Sequence, residues 1–200
     1  MKNSIKEMID VSFDLKGSYL PSGYQFALWQ ELVRCLPWLE AEESAGMLPM
    51  RGLTGSAGLS MPQRTRLMLR LPAGSVGQAA GLSGQQLKLE SGLLQVGAAR
   101  ERILQPCNTL HAHLVEGVEQ EVEFLERIAD DLNELGIACK WICGKRASID
   151  DSRQNITGYS LVLHDLKPDA SLQLQYLGLG GNRHYGCGIF VQYKAITGLD

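Results

Sequence analysis

Near its C-terminus the chain runs Gly178-Leu-Gly-Gly-Asn-Arg-His-Tyr-Gly-Cys-Gly188 and passes at once into the strand-like Ile189-Phe-Val-Gln-Tyr193. Glycine tolerates positive φ and lets a ligand approach the main chain, so such a loop can turn several N–H donors toward one anion. Gly180, Gly181, Gly186 and Gly188 supply that freedom here. Arg183 and His184 lie inside the same loop. A guanidinium suits planar, bidentate contact with phosphate, and an imidazole exchanges protons near neutral pH. Phosphate binding beside proton transfer is the chemistry indicated. A tight turn before a strand is the plainer reading of the same residues. Two better-known phosphate loops are excluded by spacing. No GxxxxGK followed by Ser or Thr occurs, and a dinucleotide-binding GxGxxG opens a helix, whereas this run opens a strand.

The rest of the composition bounds what surrounds that loop. Two hundred residues with 44% hydrophobic content suffice for one large core or two small ones. The five cysteines (35, 107, 139, 143 and 187) include no CxxC pair, and Cys139 and Cys143 read as small core residues on a strand rather than metal ligands. No basic, apolar, small-residue leader opens the chain, and no apolar stretch approaches membrane-spanning length, so a cytoplasmic, reduced protein with no membrane partner is expected.

A net charge of −3 argues against nucleic acid as a partner, but the distribution argues the other way. From Ser44 to Leu89 there is no Asp or Glu, while Arg51, Arg64, Arg66, Arg70 and Lys88 all fall there. Acid gathers in Glu40–Glu43 and Glu119–Glu134, so a positive and a negative surface can coexist. The arginines read equally well as an ordinary solvated strand face.

The elements that must position these groups follow from periodicity. Ile9, Val11, Phe13 and Leu15 alternate as in a half-buried strand, and Phe26, Trp29, Leu32 and Leu36 recur at helical spacing until Pro37. Leu67, Leu69 and Leu71 predict another strand, with Arg66 and Arg70 on one face. Ser75–Leu82 is a weak helix, and alternation resumes from Leu87 to Val96. In the second half, Leu110, Ala112 and Leu114 alternate with His111 and His113. Val118 to Leu135 forms the clearest amphipathic helix, closed by Gly136, and its outer face is acidic. Ile137–Cys143 and Tyr159–Leu163 read as strands joined by a polar connector, Gly144–Ile156. Lys167-Pro-Asp169 starts a helix, although Leu172, Leu174 and Tyr176 alternate as a strand does; the helix is favoured. The order gives an α+β fold of two tandem ferredoxin-like (RRM-like, βαββαβ) domains, residues 1–104 and 105–200, with the Gly-rich loop 178–188 in the second.

A Gly-rich loop just before the last strand of tandem ferredoxin-like domains resembles the RAMP superfamily of CRISPR-associated proteins. More narrowly, Asp10-Val-Ser-Phe-Asp-Leu-Lys-Gly17, Leu20-Pro21, Leu36-Pro-Trp-Leu39, Pro49-Met-Arg-Gly52, Leu69-Arg-Leu-Pro72 and Gly180-Gly-Asn-Arg-His-Tyr-Gly-Cys-Gly-Ile-Phe-Val191 resemble the CRISPR repeat-RNA endoribonucleases that mature guide RNAs, in particular the Myxococcus-type subfamily. The similarity covers nearly the whole chain.

That resemblance implies binding of the repeat stem-loop in precursor CRISPR RNA and a metal-independent cut by the adjacent 2′-hydroxyl. The product carries a 2′,3′-cyclic phosphate, and the enzyme stays on its mature RNA within an effector complex of other CRISPR subunits. No cofactor and no metal is implied. Position, deprotonation of the hydroxyl, charge stabilisation and protonation of the leaving oxygen are all that such a reaction asks of the protein. The subfamily shows Leu-Pro-x-Asp-His at the start of the first helix, whereas this chain has Leu20-Pro-Ser-Gly-Tyr24. Tyr24 stands at the histidine position and Gly23 at the aspartate position. A phenol with a pKa of about 10 is a poor base at neutral pH but can orient a hydroxyl or donate a proton.

Tyr24 and His184 are therefore the candidate catalytic pair. Arg183, the loop glycines, Arg51, Arg64, Arg66 and Arg70 are the candidate RNA contacts. His111 and His113 either meet RNA or face solvent, His164 reads as structural, and Tyr19 and Ser22 flank the entrance beside Tyr24. Two other readings stand beside this one: a non-catalytic subunit that holds the repeat hairpin, and a small-molecule enzyme using the loop for a nucleotide phosphate, against which the lack of an acidic metal-binding cluster counts.

Overall fold

The computed structural model describes residues 5–50, 53–55, 58–62 and 65–193. Arg51 and Arg64 fall outside them. In β1 (Met8–Lys16) the alternating Val11, Phe13 and Leu15 are enclosed and their neighbours Ser12 and Asp14 are not. β2 (Tyr19–Pro21) stops at proline, Gly23 turns the chain at φ 68°, and α1 (Tyr24–Cys35) follows with Phe26, Leu28, Trp29 and Leu32 on its buried side. Pro37 ends that helix and opens a 3-10 turn to Glu40. Three short strands come next, β3 (Gly46–Met47), β4 (Leu53–Gly55) and β5 (Gly58–Ser60), then β6 (Arg66–Pro72).

The weak helix at Ser75–Leu82 is reduced to one α-turn, α2 (Val76–Ala79), between two 3-10 turns. Gly77 and Gly81 explain this, since each costs about 1 kcal/mol relative to alanine inside a helix. The alternation from Leu87 to Val96 is a hairpin of β7 (Gln86–Leu89) and β8 (Gly92–Ile103), turning at Gly92 with φ 127°.

The second half begins with β9 (Leu110–Glu116) and α3 (Glu121–Glu134), which ends before Gly136 at φ 68°. The polar connector expected at Gly144–Ile156 does not exist as a loop. β10 (Lys140–Asp150) runs through most of it and turns into β11 (Asn155–His164), with Ile149 opposite Ile156. The turn is tied by the Asp151 carboxylate, which accepts from the amides of Arg153 and Gln154 at 2.7 Å. β10 is an edge strand that buries only Ile149, so the apolar alternation that marks a strand does not extend past Cys143. α4 (Pro168–Leu177) is a helix despite its strand-like alternation, because Ser171, Leu174 and Gln175 are the residues it buries, at helical spacing. β12 (Phe190–Gln192) closes the described chain.

Every paired strand is antiparallel. The first sheet has the order β3-β6-β1-β8-β7 and the second β10-β11-β9-β12, with β2-β5-β4 as a small third sheet. The second sheet, and the first without its added edge β7, have the strand order of a ferredoxin-like βαββαβ unit. Each sheet is covered on one face by its own helices. Val11, Phe13, Leu28, Leu32 and Leu69 share one core, and Ala112, Phe124, Ile128, Leu161, Leu174 and Phe190 share the other. Each large side chain so enclosed contributes about 1.5–3 kcal/mol. A smaller cluster of Phe26, Leu114, Ile149, Ile156 and Cys187 joins α1 to the second sheet.

Candidate nucleic-acid interface

The Gly-rich run leaves α4 through Gly178 at φ 71° and reaches β12 through a 3-10 turn at Arg183–Tyr185, entered from Asn182 at φ 58°. It lies in the seam between the two sheets, against β3 on one side and β9 on the other. Gly188 donates its amide to the Leu114 carbonyl at 2.7 Å. The amides of Leu179, Tyr185, Gly186 and Cys187 also go to backbone carbonyls within the loop. Gly186 and Gly188 are buried, and a Cβ at Gly188 collides with the Leu179 carbonyl. These two glycines shape the loop rather than face a ligand. Gly180 and Gly181 are exposed and form its open shoulder.

Arg183 is only 9% exposed. Its guanidinium turns back to donate to the carbonyls of Tyr176 and Leu177, the last turn of α4, whose carbonyls have no helical partner. Burial, with Arg70 nearby, pushes its pKa down to about 10, so it stays cationic at neutral pH. Its Nε is buried with no hydrogen-bond partner.

His184 meets the first helix, at Trp29. The two rings stack 4.4 Å apart and 7° from parallel. His184 Nε2 lies 3.4 Å from the Glu42 carbonyl, and the half-buried ring lines a recess of about 330 Å³ with Trp29, Gln30, Val33 and Glu40. Tyr24 is elsewhere. Five residues before Trp29, it points about 140° around the helix from it. It is 8% exposed within the first core, and its hydroxyl accepts the Met50 amide at 3.0 Å. Burial raises its pKa above the ordinary phenol value, against the smaller opposing effect of that hydrogen bond. Tyr24 is thus neutral and enclosed, and the fold does not bring it to the ring of His184.

Of the expected arginine contacts, Arg66 and Arg70 lie four residues apart in the same strand but have opposite fates. Arg66 is exposed, 3.3 Å from Asp14. Arg70 has no exposure and is engaged by Asp10, so its expected contact with RNA is corrected: α4 and β12 cover that end of the sheet. Among the described residues no group of three or more His, Cys, Asp or Glu is placed to hold a metal ion. No helix among them is long and apolar enough to cross a membrane.

A family model described as Cas6 Crispr matches residues 9–195. The chain belongs to the Cas6 family. A curated relative, the CRISPR-associated endonuclease Cas6 of Myxococcus xanthus (strain DK1622), is 29% identical over 185 residues, which cover 92% of this chain and 80% of that protein. Two solved structures share the fold at low identity. A Cas6-related protein from Pyrococcus furiosus has a TM-score of 0.67 at 10% identity, covering 92% of this chain and 98% of that one. Thermus thermophilus Cse3, bound to an RNA representing a pre-cleavage complex, has a TM-score of 0.53 at 14% identity with the same coverage.

Within this Cas6 fold, sequence reading missed two arginines. Arg100 and Arg102 project from β8 onto the face that carries Arg66, Arg100 donating to Asp14 at 2.7 Å and Arg102 lying 3.8 Å from Asp10. Both are exposed. Their alternation with Glu101 was the available signal, masked by the neighbouring acid. The departure from the Cas6 histidine motif also acquires a physical context. A Cβ at Gly23 runs into the Asp150 carbonyl, because the tip of the β10–β11 hairpin rests on the start of α1. His164 Nδ1 lies 3.5 Å from the Asp165 carboxylate, while His111 is half-buried and His113 exposed on β9.

Proposed function

We propose that this chain binds the repeat stem-loop of precursor CRISPR RNA and cuts it by attack of the adjacent 2′-hydroxyl, leaving a 2′,3′-cyclic phosphate. The observation that carries the reading is His184, held on Trp29 inside the Gly-rich loop of a Cas6-family chain, at the seam between two ferredoxin-like sheets. A stacked imidazole with one ring edge toward a recess is placed to pass a proton without swinging away. His184 takes or returns that proton. The exposed shoulder Gly180–Gly181 gives the backbone room to approach the phosphate. Arg66, Arg100 and Arg102, with Arg51 and Arg64, hold the stem through its phosphates. Arg183 holds the loop to α4, and Tyr24 holds Met50, the residue before Arg51. The bound RNA passes on to the other subunits of an effector complex.

A second reading rests on Tyr24. Its enclosure, and the contact of Gly23 with the hairpin tip, fit a chain that has closed the family's catalytic entrance and only holds the hairpin. One assay separates the two. Purified protein is incubated with its repeat RNA in chelator, and the product ends are read by mass spectrometry. A cyclic phosphate supports cutting; tight binding with intact RNA, with or without added divalent metal, supports holding alone.

A further inference from the structure

The second sheet has a face that its helices do not cover. Cross-strand pairs place Ile142, Val162, His111 and Val191 in one row across all four strands, since directly paired residues share a face. Their sequence neighbours Leu110, Ala112, Leu161 and Leu163 are buried on the other side, against α3 and α4. The tip end of the row's face is closed by Phe26 and Cys187, but the end bearing this row is open. Ile142 is 58% exposed and Tyr193 46%. The Tyr193 and His111 rings lie 5.9 Å apart. His113 is exposed beside them, close enough to lower the His111 pKa together with burial. Lys140 and its partner His164 flank the row.

We propose that this face is a platform for single-stranded RNA, a second RNA site distinct from the stem-loop site and resting on the RNA-processing reading above. Rings and apolar edges on the central strands of an RRM-like sheet are what unpaired bases stack on. Charge agrees with that occupant. The row itself carries no carboxylate; at its edge Asp165 is engaged by Lys140 at 3.0 Å, and the acids of α3 lie on the opposite side of the sheet. Continuity agrees as well. β12 leaves the Gly-rich loop directly and runs along β9, so a strand of RNA leaving the loop is led onto the row at Val191. An unpaired stretch flanking the stem-loop is the segment that fits.

The test uses the full chain and fluorescein-labelled oligouridine of twelve nucleotides, with a blunt stem-loop RNA as the second probe, both followed by anisotropy in chelator. Tyr193→Ala and Ile142→Glu are each expected to weaken oligouridine binding about tenfold and to leave stem-loop binding and cutting as they were. Unchanged oligouridine affinity in both variants, or none in the parent, overturns the platform. If sedimentation instead finds a dimer that Ile142→Glu dissolves, with RNA binding unaltered, the face serves a protein contact and the proposal is likewise overturned. A stem-loop that is bound but never cut, alongside tenfold losses on oligouridine, removes the cutting reaction and leaves the platform standing.

Discussion

Arg70 Nε lies 2.7 Å from Asp10 Oδ1, and neither side chain has any accessible surface. The pair sits on the outer face of the first sheet, β6 against β1, at the point where the second domain covers it. Arg70 Nη1 donates across the seam to the carbonyls of Gln175 and Phe190, at 3.1 and 2.6 Å. One guanidinium thus satisfies a carboxylate of its own sheet and two backbone acceptors across the seam, one in α4 and one in β12. Such a pair is costly to break because the remaining charge has no water to return to.

Replacing Arg70 with Met therefore leaves the enclosed Asp10 carboxylate with only Arg102, 3.8 Å away, beside it. The expected loss is about 3–5 kcal/mol in urea unfolding. Adding Asp10→Leu to Arg70→Met is expected to recover much of it, since matched apolar side chains avoid the stranded charge. A single variant as stable as the parent counts against the assignment.

Restoring the family's histidine motif is expected to fail. Gly23 has φ 68° and abuts the Asp150 carbonyl, so Gly23→Asp strains the backbone and displaces the hairpin tip. Strain of this kind costs about 1–3 kcal/mol, readable as a fall in Tm. The double variant Gly23→Asp, Tyr24→His is expected to cut repeat RNA no faster than the parent. A gain in rate shows instead that the entrance is open to substrate.

His184 is tested with a pair of substitutions that separate stacking from proton transfer. His184→Phe keeps a ring on Trp29 and removes the titratable nitrogens. Cleavage is expected to fall by about 10²–10⁴-fold with stem-loop affinity little changed. His184→Ala also forfeits the stack, which is worth about 0.5–1.5 kcal/mol, and should lose stability as well as rate. Full activity in the Phe variant transfers the chemistry to another residue.

The acid limb of stability carries a signature of His111. Burial, helped by the nearby His113, holds its pKa below the ordinary imidazole value. The unfolded chain then binds the proton first, so stability falls as pH drops below the unfolded value of about 6.5. The fall levels once the native ring also protonates. His111→Gln is expected to flatten this slope, measured as urea midpoints between pH 5 and 7.5; an unchanged slope places the titration elsewhere.

What the sequence disclosed and withheld follows from how many faces of an element are buried. β1, α1, β9 and α3 each bury one face, so Val11-x-Phe13-x-Leu15 or Phe124, Ile128 and Leu132 announce them. β10 is an edge strand that buries only Ile149, and from Gly144 its polar residues read as a loop. Arg66 and Arg70 are indistinguishable in sequence, four residues apart in one strand. Only the docking of α4 and β12 over one end makes one a surface group and the other a core ion pair. The Gly-rich loop was legible in position, but not that Gly186 and Gly188 serve packing and that the amides of Tyr185, Gly186, Cys187 and Gly188 are already spent. The hydrogen bond that ties the enclosed Tyr24 to the Met50 amide spans a separation that local pattern does not describe.

The carbonyls that satisfy Arg70 belong to residues 175 and 190, which lie 105 and 120 positions further along the chain. During synthesis on the ribosome the first sheet can assemble early, yet its arginine then waits with an unfilled half for more than a hundred residues of chain. The first domain is consequently an unfinished object until β12 emerges. Its completion coincides with delivery of the Gly-rich loop immediately upstream of β12.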